Sequence, residues 1–97
     1  MDLGLNGKRA LVLGASRGLG QGIAEQLAAE GADIALCGRD IDAMKAQATD
    51  LASRTGRTIQ AYQIDLTDAT VVATLITDVT NDFGGIDIVI NNGGGPP

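Results

Sequence analysis

The chain has 97 residues, room for one small domain, with 44% hydrophobic residues, 2% aromatic residues and a formal net charge of −5 without a single histidine. That balance argues against a nucleic-acid binder, which needs positive charge facing phosphate, and it removes both the usual base near neutral pH and a common metal ligand. One cysteine, Cys37, rules out an internal disulfide and fits a reducing cytoplasm; the first ten residues, "MDLGLNGKRA", resemble no signal peptide, and no run reaches the ~20 apolar residues of a membrane span.

In chain order, "KRALVLG" (8–14) is apolar throughout, which suits a strand buried on both faces of a parallel sheet. A helix follows, with Leu19, Ile23, Leu27 and Ala28 at helical spacing and Gly31 as its stop. "DIALCG" (33–38) is a second buried strand. Residues 40–56 form a second helix, capped by Asp40, ended by Gly56, with Ile41, Met44, Ala48, Leu51 and Ala52 on its apolar stripe. "TIQAYQI" (58–64) is the third strand. Residues 68–85 form a third helix with Val72, Leu75, Ile76, Val79 and Phe83 on one face; its β-branched content weakens it, so packing must compensate. "IDIVIN" (86–91) is the fourth strand, and a glycine-proline run closes the chain.

Alternating strands and helices mean an α/β fold: a parallel sheet with helices on both faces. Right-handed crossovers favour strand order 3-2-1-4, with a ligand at the switch point between strands 1 and 4. The first two helices should cover one sheet face, and the third alone cannot cover the other. Strand 4 is left as an apolar open edge, and each Å² of burial not achieved costs about 25 cal/mol. Self-association, or association with a missing remainder of the protein, is therefore expected.

"GASRGLG" (14–20) sits between the first strand and the first helix, the context that a phosphate-binding glycine loop requires. Its spacing is Gly14-xxx-Gly18-x-Gly20. Glycine permits a sharp turn, and the helix behind it begins with unpaired N–H groups and a positive dipole end, which together bind a pyrophosphate. A plain tight turn is the alternative.

This loop resembles the cofactor loop of the short-chain dehydrogenase/reductase family. "CGRD" (37–40) after strand 2, "DLTD" (65–68) after strand 3 and "NNGG" (91–94) after strand 4 fall at that family's spacing, with Gly93 where an alanine is usual. The resemblance covers the whole chain and implies the first four strands of a Rossmann-type sheet. It implies that Gly14, Gly18, Leu19 and Gly20 line the pyrophosphate and ribose, that Asp65 and the Leu66 backbone meet the adenine, and that Asn92 and Gly93 pass the adenosine ribose. Asn91 would tie the central strands together. The bland alternatives are a strand-end turn for Asp65 and a satisfied buried amide for Asn91.

In this family NAD-binding members carry a carboxylate after strand 2. Here that place is Gly38, followed by Arg39, while Arg17 and Ser16 come from the glycine loop. All three can reach the 2′-phosphate of NADP, so NADP (NADPH) is the expected cofactor; Asp40 keeps NAD as the alternative, although a helix cap explains it without a ligand.

The family's chemistry is hydride transfer to a carbonyl, with a Ser and a Tyr-xxx-Lys pair handling the substrate oxygen. The single tyrosine, Tyr62, is followed four residues on by Leu66, not lysine. The chain is therefore expected to carry no catalytic residue and to be inactive alone: residues 1–97 would be the NADP-binding part of a longer single-domain reductase, similar to 3-oxoacyl-acyl-carrier-protein reductases. It would be a surviving or ordered part of that enzyme, or else a deliberately shortened chain. The expected partners are the dinucleotide, a small carbonyl substrate in the longer protein and further copies in a homo-oligomer, without nucleic acid or membrane. Cys37 reads as a core residue with no histidine to activate it, no metal spacing appears, and Arg54 and Arg57 read as partners of the second helix's end. The rival readings are a non-catalytic dinucleotide module that senses redox state or scaffolds a partner, and an S-adenosylmethionine-dependent methyltransferase, which leaves Arg17, Arg39 and "NNGG" unexplained.

Overall fold

In the computed structural model, residues 4–15, 18–65 and 67–92 are described. Seven elements alternate: β1 (Arg9–Leu13), α1 (Gly18–Ala29), β2 (Asp33–Gly38), α2 (Ile41–Thr55), β3 (Ile59–Gln63), α3 (Ala69–Phe83) and β4 (Ile88–Asn91). The strands form one parallel sheet in the order β3-β2-β1-β4. β2 has the expected bounds, and the other elements are up to a few residues shorter than their sequence patterns, because the patterns run on into turns and caps.

Asp40 caps α2 as expected, and Asp68, not anticipated as a cap from the sequence, does the same for α3. The Asp40 carboxylate accepts from the Ala43 N–H at 3.1 Å, and Asp68 accepts from Thr70 and Val71. Each thereby satisfies backbone donors that the helix's first turn leaves without an acceptor. Gly56 and Gly84 end α2 and α3 in the left-handed conformation, the region where a side chain is penalised.

The core lies on both sides of β1 and β2. On one side Ala10, Val12, Ile34, Leu36 and Ile59 meet Ala24 and Ala28 of α1 and Met44, Ala48 and Leu51 of α2. On the other, Leu11, Leu13, Ala35, Cys37 and Ile64 meet Leu75 and Val79 of α3. Two expectations about helix faces need correction. The buried line of α1 is Gly20, Ala24 and Ala28, while Leu19 is 68% exposed. Small residues let the helix lie close to the sheet, so the large ones are pushed to the rim. On α3, Ile76 is 43% exposed, one step past the line formed by Val72, Leu75, Val79 and Phe83. The helix's threonines turn inward on their own backbone: Thr74, Thr77 and Thr80 each donate to the carbonyl four residues back.

Ion pairs hold the strand starts. Arg9 grips Asp87 through Nε and Nη2, at 3.0 and 3.3 Å, joining β1 to the entry of β4. Arg57 does not serve the end of α2 as expected; its guanidinium binds Asp33 at the start of β2, 3.1 Å away. Arg54 does stay on α2, paired with Asp50 at 2.7 Å and, more loosely, with Glu25 of α1. No helix among the described residues is long and apolar enough to cross a membrane.

Candidate functional site

All four strands end along one edge of the sheet. Leu13 is in register with Cys37 and Asn91, and Gly38 with Gln63. The β1 exit is pinned to β2 by two backbone bonds, from Gly14 and Ala15 N–H to the Cys37 carbonyl, at 2.7 and 3.0 Å. It is pinned to β4 by Asn92, whose N–H donates to the Leu13 carbonyl at 2.9 Å and whose side-chain amide reaches the Gly14 carbonyl at 3.5 Å. Ile64 N–H donates to the Gly38 carbonyl at 2.8 Å, which sets Asp65 beside the β2 exit. The structure thus gathers Gly14, Gly18, Leu19, Gly20, Arg39, Asp65 and Asn92 along one edge. Ser16, Arg17, Leu66 and Gly93 lie outside the described residues.

The three loop glycines serve three different ends. Gly14 has φ +78°, a conformation that other residues rarely adopt. A Cβ on Gly20 would strike the Gly14 carbonyl and come within 3.0 Å of both Ala15 Cα and the Asn92 amide, so Gly20 is needed for α1 to seat against the β1 exit. A Cβ on Gly18 would meet nothing within 4 Å, and its φ is ordinary. Among the described residues no contact accounts for glycine there; its effect is to keep a side chain off the first residue of α1. A glycine-rich helix start of this kind is the type of place where backbone N–H groups can meet a phosphate.

Charge at this edge follows the same division. The N-termini of α2 and α3 each hold the carboxylate of their own aspartate, Asp40 and Asp68. No acid stands in the first turn of α1, and the sequence before it, Gly14 to Arg17, contains none. Of the three helix starts, this is the one with no acidic residue in its first turn or in the four residues before it, so its positive dipole end meets no carboxylate from its own sequence. Arg39 is exposed at the β2 exit, its carbonyl accepting from Gln63 Nε2 at 3.2 Å.

Asp65 accepts two bonds from Thr67, from its N–H at 3.0 Å and its hydroxyl at 2.7 Å. Those bonds, aided by the charge of Arg39, hold its carboxyl below the usual carboxylate range. Sequence reasoning passed over Thr67. The signal was present as Asp-x-Thr after a strand, a spacing at which a hydroxyl and its own N–H can converge on one carboxylate.

Tyr62 points away from this edge. It packs against the α3 cluster and donates its hydroxyl to Asp82 at 2.7 Å. Burial, then that bond, pushes its phenol well above the ordinary value, so it keeps its proton and is unsuited to give it up. It lines an open groove of about 420 Å³ with Thr70, Val71, Thr74 and Asp78 that does not reach the glycine loop. Cys37 is buried beneath α3, its thiol pushed up to about 12 by desolvation, as an inert core residue requires. No metal-binding cluster appears among the described residues.

Comparison with known proteins bears on this arrangement. Residues 8–97 match the model of the short chain dehydrogenase family. Galactitol 2-dehydrogenase of Agrobacterium fabrum is 42% identical over 88 residues, covering 91% of this chain and 33% of that protein. A 3-oxoacyl-acyl-carrier-protein reductase of Chlamydia muridarum is 36% identical over 87 residues, 90% of this chain and 35% of that one. Among solved structures, L-sorbose reductase of Gluconobacter frateurii, complexed with NADPH and L-sorbose, superposes with a TM-score of 0.92 at 36% identity, covering all of this chain (100%) and 37% of that chain. An NAD+-bound xylitol dehydrogenase gives 0.82 at 33% identity, over 88% of this chain and 32% of that one. The chain spans about a third of the length of the curated relatives it matches. With a β3-β2-β1-β4 sheet, a glycine-rich loop between β1 and α1 and a family match over nearly its whole length, the chain belongs to the short-chain dehydrogenase family.

Proposed function

We propose that residues 1–97 are the dinucleotide-binding part of a longer single-domain, NADP-dependent oxidoreductase that interconverts carbonyls and alcohols. The observation that carries this reading is the contrast among the three helix starts. Asp40 and Asp68 fill two of them, whereas α1 begins at Gly18 with no acid in its first turn or among Gly14 to Arg17. Gly14, Gly18, Leu19 and Gly20 would hold the pyrophosphate and ribose, Asp65 and the Leu66 backbone the adenine, and Asn92 and Gly93 the adenosine ribose. Arg39, with Ser16 and Arg17, would grip the 2′-phosphate.

NADP is favoured because Gly38 offers no side chain to a 2′-hydroxyl and Arg39 follows it. The NADPH complex of L-sorbose reductase supports this choice. NAD is the lesser alternative, and Asp40, its candidate carboxylate, is already engaged in capping α2. When bound, the dinucleotide supplies hydride transfer; the chain's own residues bind and orient it. A substrate like that of the 3-oxoacyl-acyl-carrier-protein reductases is the finer assignment, supported by such relatives. The exposed β4 edge supports homo-oligomer formation, and the single buried thiol suits a reducing cytoplasm.

Because Tyr62 is tied to Asp82 and far from a proton-donor role, the chain alone is expected to bind and not to turn over. The same fact favours the second reading, a non-catalytic dinucleotide-binding module. Titration with NADPH and NADH tests the binding. A preference for NADPH of about 10- to 100-fold is expected, and Arg39→Asp should bring it toward NADH. An unchanged affinity ratio rejects the assignment of Arg39. Carbonyl reduction by the longer protein separates the enzyme from the module.

A further inference from the structure

We propose that Thr67 is a positioning residue for base recognition: it fixes the Asp65 carboxylate so that an adenine dinucleotide is accepted and its hypoxanthine counterpart rejected. This rests on the adenine role given to Asp65 above. Both Thr67 donors, the N–H at 3.0 Å and Oγ1 at 2.7 Å, end on the same oxygen, Oδ1. No described residue donates to Oδ2. Two donors on one oxygen stop the carboxylate from turning and leave the second oxygen as the acceptor for a ligand.

The surroundings keep this arrangement in place. The Asp68 N–H donates to the Asp65 carbonyl at 3.3 Å, closing the turn that brings Thr67 back over Asp65. The Asp68 carboxylate is occupied by the start of α3, through Thr70 and Val71, so it does not compete for the threonine. Arg39 contributes favourable charge from the β2 side. An ionised carboxylate can only accept. The exocyclic amine of adenine donates to it, whereas the carbonyl that hypoxanthine carries at the same ring position only accepts and faces it like against like. A carboxylate free to rotate, or to take a water between itself and the base, loses much of that distinction.

The test is a fluorescence titration of the full 97-residue chain with NADPH and with its reduced hypoxanthine analogue. The unmodified chain should favour NADPH by about tenfold. Thr67→Val should bring the ratio near one while the circular dichroism is unchanged, and Thr67→Ser, which keeps the hydroxyl, should restore it. Thr67→Ala, read in the same way, replaces the valine variant if that one alters the fold. A ratio unmoved by loss of the hydroxyl overturns the proposal. Asp65→Ala tells the two failures apart. If it abolishes discrimination and Thr67→Val does not, the positioning role alone falls. If Asp65→Ala leaves discrimination intact, or if the unmodified chain binds neither dinucleotide or both alike, the adenine role of Asp65 falls and takes the inference with it.

Discussion

The two faces of the sheet are built to different standards. Under α1 and α2, Val12, Ile34, Leu36, Met44 and Leu51 are all within 1% of full burial. Under α3, Leu75 and Val79 cover Leu11, Leu13, Ala35 and Cys37, but Val89 on β4, in register with Leu11, is 58% exposed. The cause is the topology. Helices α1 and α2 each join neighbouring strands and lie side by side above them. Helix α3 carries the chain from β3 at one edge to β4 at the other, three strand spacings or about 14 Å away, as a single helix across a whole face. Coverage of a parallel sheet is thus set by how many crossovers pass over each side, not by how apolar that side is.

Substitutions can break or sharpen this contrast. The largest effect should come from Leu36→Ala, at about 2–5 kcal/mol by chemical denaturation, because its packed surroundings cannot collapse into the space. Leu75→Ala should cost about 2 kcal/mol, at the lower end, since α3 can shift to fill the gap. If the second variant proves as damaging as the first, the two faces are equally packed and the contrast fails. Next, Asp68→Ala and Asp40→Ala should each cost about 1 kcal/mol through a lost cap. Hydrogen exchange should then speed up along all of α3 in the first variant, but only in the first turn of α2 in the second. Smallest in stability is Val89→Thr, within about 0.5 kcal/mol. Its effect should appear in light scattering, as reduced self-association through the β4 edge; a chain that is already a well-folded monomer would remove the premise.

The frame of this fold was legible because its signals are local. Asp40 and Gly56 mark the ends of α2 by chemistry that acts within one turn, as Asp68 and Gly84, not singled out in the sequence, do for α3, and apolar runs such as "ALVL" specify strands buried on both faces. What the sequence concealed depends on distance in space. Leu19 and Ile76 follow helical periodicity, yet they sit outside the packed line because the spacing between helix and sheet decides which face turns inward. Arg57 lies near the end of α2 in sequence, but its partner, Asp33, is fixed by the pairing of β2 with β3. At the candidate site the glycines announced themselves, whereas their separate duties did not. That Gly20 must be small because a Cβ there would strike the Gly14 carbonyl, and that Gly18 meets no such contact among the described residues, emerges only once α1 is seated on the β1 exit.

The clamp between Arg9 and Asp87 joins residues 78 positions apart, so seating β4 closes a long loop that takes in β2, β3 and all three helices. Closing so long a loop is entropically slower than the short-range pairings of β1 with β2 and β2 with β3. Among these four strands, β4 is therefore expected to dock last, on a three-stranded platform already formed. During synthesis that platform can assemble while β4 is still being made, and until β4 arrives, β1 is itself a bare margin, ready to pair with the wrong chain.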